Sequence, residues 1–153
     1  MAKVRIDLKR VKRKINKFRD KAAPVVAEVL KKEVVGSIER GVSPVNRGGV
    51  RYKKYSDSYR NQIKSGRFSG KRVSPVNLKL TGELLASFFV KINRKSITVG
   101  FDNRLADIHN RRGAGKSKVI RRMLPTNKGE TFSRSIILRI EDALKDIKKT
   151  FFR

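Results

Sequence analysis

The chain is expected to adopt an α+β fold: a small antiparallel sheet built on a central β-hairpin, packed against long N- and C-terminal helices, with extended basic loops. Three observations predict it. Between residues 88 and 101 the apolar side chains alternate, Phe88, Val90 and Ile92 on one face and Ile97, Val99 and Phe101 on the matching face after a turn at Asn93 to Ser96. On either side of this unit apolar residues recur every three or four positions, the spacing of amphipathic helices. The intervening stretches are rich in Gly, Pro, Ser and basic residues. A hairpin with one apolar face does not stand alone in water, so the flanking helices are its natural cover. The expected core is therefore Val90, Ile92, Ile97, Val99 and Phe101, packed under Ile136, Ile140, Leu144 and Ile147 of the C-terminal helix.

The 153 residues suit one domain, residues 1–20 forming a basic N-terminal arm or helix and residues 21–153 the α+β core. Ten basic residues fall within positions 1–21, where Val4, Leu8, Val11, Ile15 and Phe18 keep helical spacing from about Leu8. Such a segment has the look of a membrane-surface helix. The narrow stripe without Trp fits better a helix docked on the core with a solvated basic face. A second helix is expected over 21–40, with Pro24 in its first turn, an apolar stripe of Val26, Val29, Leu30, Val35 and Ile38, and Gly41 as its stop.

Residues 41–50 and 64–77 read as loops with little apolar anchoring. The tetrapeptide Ser-Pro-Val-Asn occurs in both, at 43–46 and 74–77, without the surrounding similarity a repeat would have. Tyr52, Tyr55, Tyr59 and Ile63 keep helical spacing, with Ser56 as a cap. Lys53, Lys54 and Arg60 lie among these aromatics, a composition that can grip single-stranded nucleic acid, although tyrosines packing a short helix on the core explain it more simply. Leu80 to Ser87 read as a short helix capped by Thr81, with Glu83 favoured by the helix dipole and Leu80 stapled to Leu85. Asp102 or Asn103 caps the next helix and Gly113 ends it. The last helix begins near Thr131, with Phe132, Ile136, Ile140, Leu144, Ile147 and Phe151 on its stripe and Arg139, Lys145, Lys148 and Lys149 off it.

Forty Lys and Arg stand against 13 Asp and Glu, a net charge of +27. That excess repels itself and points to a polyanionic neighbour, nucleic acid before an anionic membrane. With no cysteine, disulfides, zinc knuckles and thiol catalysis are excluded. No apolar run approaches the roughly 20 residues that span a bilayer, and the basic N-terminus lacks the apolar region of a secretory signal, so a soluble, intracellular product is expected.

No catalytic constellation emerges, and no enzyme, cofactor or metal is expected. Gly113-Ala-Gly-Lys-Ser117 resembles the end of a phosphate-binding loop, but the required glycine five positions earlier is Asn110 and no buried strand precedes it. His109, the sole histidine, has Asp107 and Ser117 nearby in sequence, yet residues two apart do not share a helix face. It is expected to be a partly buried helix histidine. One histidine with scattered aspartates makes no ligand cluster. The contact candidates are instead basic: Arg51, Lys53 and Lys54 in one loop, and Arg111, Arg112, Lys116, Lys118, Arg121 and Arg122 in another, where six cations in twelve positions have no acid within the segment.

The order of motifs resembles the tail-completion and neck (head–tail joining, virion morphogenesis) proteins of tailed bacteriophages. Leu80-Thr-Gly-Glu-Leu-Leu-Ala-Ser87 matches the family's Thr-Gly-x-Leu helix start, Val99-Gly-Phe101 the end of its hairpin, Ala106-Asp-Ile-His109 with Gly113 the following helix, and Arg121-Arg-Met-Leu-Pro125 the element before its C-terminal helix. The match covers roughly residues 78–147; Ile-Arg-Arg stands where the family has Pro-x-Arg-Pro-like residues. The resemblance implies a structural virion protein, made in the host cytoplasm and located in the neck or top of the tail. Its implied partners are further copies of itself in a homo-oligomeric axial ring, the head connector or portal, tail-tube or tail-terminator proteins, and packaged DNA met through its phosphates without sequence reading; no membrane is implied. The alternative is a free, sequence-nonspecific nucleic-acid-binding protein, ribosome-associated or nucleoid-like.

Overall fold

A computed structural model describes residues 8–46, 51–79, 81–93 and 96–152, with side chains from residue 12 onward. The expected staple at Leu80, the side chains of Val4, Leu8 and Val11, and residues 47–50 at the end of the 41–50 loop lie outside the described residues. The chain folds as α1 (Leu8–Glu39), α2 (Asp57–Lys64), α3 (Glu83–Ala86), β1 (Phe88–Ile92), β2 (Ile97–Phe101), α4 (Arg104–Asp107), a π-helical turn (Ile108–Arg112) and α5 (Arg134–Phe151). This is the expected α+β arrangement of long terminal helices around one two-stranded antiparallel sheet.

The two helices expected before residue 40 are one. α1 runs 32 residues, about 48 Å at 1.5 Å per residue, with Pro24 inside it. Proline in a helix interior loses one backbone hydrogen bond and crowds the carbonyl four residues earlier. Here Pro24 and Asp20 are both exposed, so the freed carbonyl is open to water. Packing outweighs the defect, because Phe18, Ala22, Val26, Leu30, Val34 and Ile38 form a row spaced by four that passes straight through Pro24, and its last three members enter the core. Gly41 stops the helix as expected. At φ 72° it closes a Schellman motif, its N–H donating to the Ile38 carbonyl and that of Val42 to the Ser37 carbonyl.

The hairpin has the expected register, Phe88 opposite Phe101, Val90 opposite Val99 and Ile92 opposite Ile97, with Asn93 and Ser96 bonding across the turn. Its cover differs from expectation. β1 lies against α1, and α1 against α5, so the N-terminal helix rather than the C-terminal one shields the sheet. Burial fades along the strand from Phe88, 5% exposed, to Ile92, 48% exposed. Ile92 is therefore no core residue; Val90, Ile97, Val99 and Phe101 are half-buried against the core, as is Ile140. Of the expected α5 residues only Ile136 is fully enclosed, with Leu144 and Ile147 half-buried. α1 and α5 run antiparallel: Phe18 meets Phe151 and Phe152 at 6.0 and 5.3 Å at one end, while near the other Val45 bridges to Phe132.

The core gathers Leu30, Val34 and Ile38 with Tyr52, Val76, Leu78, Leu84, Leu85, Phe88, Met123 and Ile136. The loops thus contribute what was expected of the hairpin. Pro44 and Val45 are buried from one loop and Val76 from the other, with Tyr52 buried from the stretch before α2, so neither loop lacks apolar anchoring. The short helices start on local chemistry. Ser56 caps α2 by accepting from the Tyr59 N–H, and Asn103 caps α4 by accepting from Leu105. Thr81 is displaced by one position: Gly82, at φ 91°, is the cap of α3, and the Thr81 hydroxyl accepts from the Glu83 N–H at 3.4 Å.

Candidate functional site

The segment after α4 builds one side of a cleft in the surface. His109 lies in the π-helical turn, which ends at Gly113 with φ 82° and a bond from the Gly113 N–H to the Ile108 carbonyl. Ala114 then bridges to Val119, and the chain returns alongside, the Arg121 N–H donating to the His109 carbonyl at 2.7 Å. Asn110, 5% exposed, clamps the return: its Oδ1 accepts from the Met123 and Leu124 N–H groups at 2.7 and 2.9 Å, and its Nδ2 donates to Thr126 Oγ1.

This folding divides the expected contact residues into two classes. Lys116 and Lys118 are exposed at the tip, with no ion pair among the described residues. Arg111 and Arg112 are exposed but share Asp107, at 3.7 and 2.9 Å. Arg51, Lys53 and Lys54 are exposed. Two candidates are instead drawn into the fold. Arg121 is buried, its Nη2 donating to the Lys53 carbonyl at 3.1 Å. Arg122 pairs with Glu130 at 3.4 Å and donates to the Asn110 carbonyl at 2.6 Å. A loop of six freely presented cations is thus reduced by its own fold: cations that the sequence leaves without acids find carbonyls and the distant Glu130.

Between this segment, α2 and the 71–84 stretch lies a cleft of about 820 Å³, lined among others by Tyr55, Tyr59, Lys71, His109 and Arg121, with apolar walls at Leu78, Leu84 and Leu105. Tyr55 is its hub. Lys71 Nζ stands 5.1 Å and Arg121 Cζ 5.4 Å from its ring centroid, and Tyr59 meets it edge-on at 5.1 Å. The Lys71 ammonium bonds the Lys79 carbonyl and, at 3.4 Å, Asn77 Oδ1, both neutral acceptors. Burial first, then the charge of Arg121, lowers the Lys71 pKa to about 8. Among the described residues, the buried side-chain polar atoms without a hydrogen-bond partner are Tyr55 Oη, His109 Nδ1 and Arg121 Nε, all in residues of this cleft. Of the three tyrosines noted in the sequence, Tyr55 and Tyr59 belong to it and Tyr52 to the core, but Lys71 and Leu78 gave no signal, because the wall is assembled from four separated segments.

His109 is the partly buried histidine expected, and burial first, then Arg121 and Lys71, push its pKa down to about 4. The ring is neutral at pH 7. Between about 4 and the ordinary value of about 6.5 the unfolded chain binds more protons than the folded one, so stability falls as pH drops through that window. His109→Gln is expected to remove this component. Melting measured at about pH 7 and about pH 4.5 should show a larger acid loss in the parent than in the variant, and equal losses would mean His109 titrates as it does unfolded.

Among the described residues no three His, Asp or Glu gather as a metal site, and no helix is long and apolar enough to cross a membrane. Comparisons with protein-family models, with curated proteins and with solved structures return no match for this chain.

Proposed function

We propose that the protein is a structural subunit of the neck or tail top of a tailed bacteriophage, assembling into an axial ring that joins the head connector to the tail and surrounds the DNA channel. The observation that carries this reading is a surface unsuited to an isolated monomer: a net charge of +27 beside apolar side chains left in solvent. Ile15, Ile92, Leu105, Ile120, Leu138 and Phe152 are each more than 40% exposed. Scattered exposure of this kind is ordinary in itself, but Ile15, Leu138 and Phe152 all belong to the α1–α5 pair, where contact with a second copy would cover them. Lys12, Arg13, Lys14 and Lys17 on α1 and Lys116 and Lys118 on the loop tip are exposed and make no ion pair among the described residues. In a ring, such cations meet phosphate without selecting sequence. The motif order of residues 80–125 supports the same reading.

Sedimentation velocity with and without duplex DNA tests it. A discrete oligomer, alone or with a connector ring, is expected, together with sequence-independent DNA binding. Replacing Lys116 and Lys118 with Ser should lower the log–log salt slope by about 0.9 for each phosphate no longer neutralised. A chain that stays monomeric at every concentration while holding DNA tightly would favour the free nucleic-acid-binding alternative.

A further inference from the structure

We infer that the cleft around Tyr55 is a docking site for a short acidic and apolar peptide segment of a neighbouring protein subunit, whose carboxylate is held by Lys71 and Arg121. The source of the segment rests on the assembly reading above; the binding itself does not.

The floor of the cleft carries cations for which the chain supplies no counter-charge. Neither Lys71 nor Arg121 makes an ion pair among the described residues; both rest on neutral carbonyl and amide oxygens. Cations drawn out of water in each other's neighbourhood raise the free energy of the site unless an anion joins them. The depressed pKa of Lys71 and of His109 reflects that condition. Glu83 lies on the same lining but is exposed and makes no ion pair with them.

The size and walls narrow the occupant. A volume of about 820 Å³ lies within the range of sites that enclose a ligand or a few side chains. Leu78, Leu84 and Val119 give apolar walls, and Leu105, 45% exposed, extends them to the rim. Inorganic phosphate would meet the floor and leave these walls wet. Duplex DNA presents phosphates on a broad convex surface and cannot carry one down to Arg121, which is only 5% exposed. A single strand needs a free aromatic platform, whereas the Tyr55 ring is already engaged by two cations and by Tyr59. A carboxylate flanked by apolar side chains uses floor and walls together.

The probe is a fluorescein-labelled seven-residue peptide of alternating leucine and glutamate, followed by fluorescence anisotropy against the full chain. Saturable binding is expected. Its glutamine counterpart and the Lys71→Met protein should each weaken binding about tenfold or more, since a charge-assisted hydrogen bond is removed. Lys71→Arg should restore most of it, and Leu105→Ser should weaken it several-fold through the rim. Circular dichroism and melting identify any variant that fails to fold, and the glutamine peptide needs no variant at all. Equal binding of the glutamate and glutamine peptides overturns the proposal. So does displacement of the peptide by a thymidine 12-mer or by inorganic phosphate at concentrations below those of unlabelled peptide, which would make the site one for nucleic acid or phosphate. Peptide binding by a chain that never assembles would leave the site standing and remove the ring reading; assembly without peptide binding would do the reverse.

Discussion

Asn110→Ala is expected to destabilise the protein by about 3–5 kcal/mol, far more than its small loss of apolar surface accounts for. The side chain is 5% exposed and answers for two backbone donors, the N–H groups of Met123 and Leu124. Met123 itself is fully buried, so water cannot replace the missing acceptor there. Each buried donor left unpaired costs about 1–3 kcal/mol, and the bond from Nδ2 to Thr126 goes as well. Asn110→Asp separates the contributions. It keeps both acceptor bonds, loses only the donor to Thr126, and puts an anion near Arg122, which already donates to the Asn110 carbonyl. Its loss should be less than half that of the alanine variant. Chemical denaturation of the three proteins at about pH 7 measures both differences. Equal losses in the two variants would assign the effect to Thr126 rather than to the Met123–Leu124 turn.

The same residue shows where reading from sequence alone reaches its end. Asn110 stands out in the sequence only as the position where a phosphate-binding loop needs glycine. Its work is done across 13 and 14 residues of chain, and nothing local announces it. Features governed by neighbours were legible: the hairpin register, the Gly41 stop, the caps at Ser56 and Asn103, and the solvent face of α5 all follow from period or turn chemistry within a few positions. Pro24 misled because the local rule against helical proline is real but smaller than the burial gained by continuing the row from Phe18 to Ile38. That row was visible in the sequence and carried the correct answer. The cover of the hairpin was not, since both terminal helices offer an apolar stripe and only packing decides between them. The basic loop failed for an electrostatic reason. Counting acids within the segment leaves Arg121 and Arg122 free, whereas the fold turns Arg121 onto the Lys53 carbonyl and Arg122 onto the Asn110 carbonyl and Glu130, which lies beyond the segment.

Gly113 and Gly115 carry the second large effect, and as a pair they isolate its cause. Both have positive φ, 82° and 72°, so an L side chain strains either backbone, by at least about 1–2 kcal/mol, and Gly113 the more because its ψ of 142° takes it into a region that essentially only glycine adopts. Beyond that they differ. A Cβ on Gly115 would meet nothing within 4 Å, while one on Gly113 would stand 2.2 Å from the Lys118 carbonyl oxygen and 2.8 Å from its Cα. That clash is backbone on backbone, so no side chain can swing aside. The 114–119 turn must shift bodily, and with it the Ala114–Val119 bridge and the Arg121–His109 bond that together close one wall of the cleft. Gly115→Ala should therefore cost about 1–2 kcal/mol, whereas Gly113→Ala should cost at least about 3 kcal/mol. For a chain of this length each kcal/mol moves the melting temperature by about 2–4 °C, so the two variants should separate by several degrees. The consequence reaches the site as well. Gly113→Ala should weaken the leucine–glutamate peptide more than Gly115→Ala does, since only the former displaces the 114–119 backbone that walls the cleft. Equal melting temperatures for the two variants would mean that φ alone sets the cost and that the turn can relax around a Cβ at position 113.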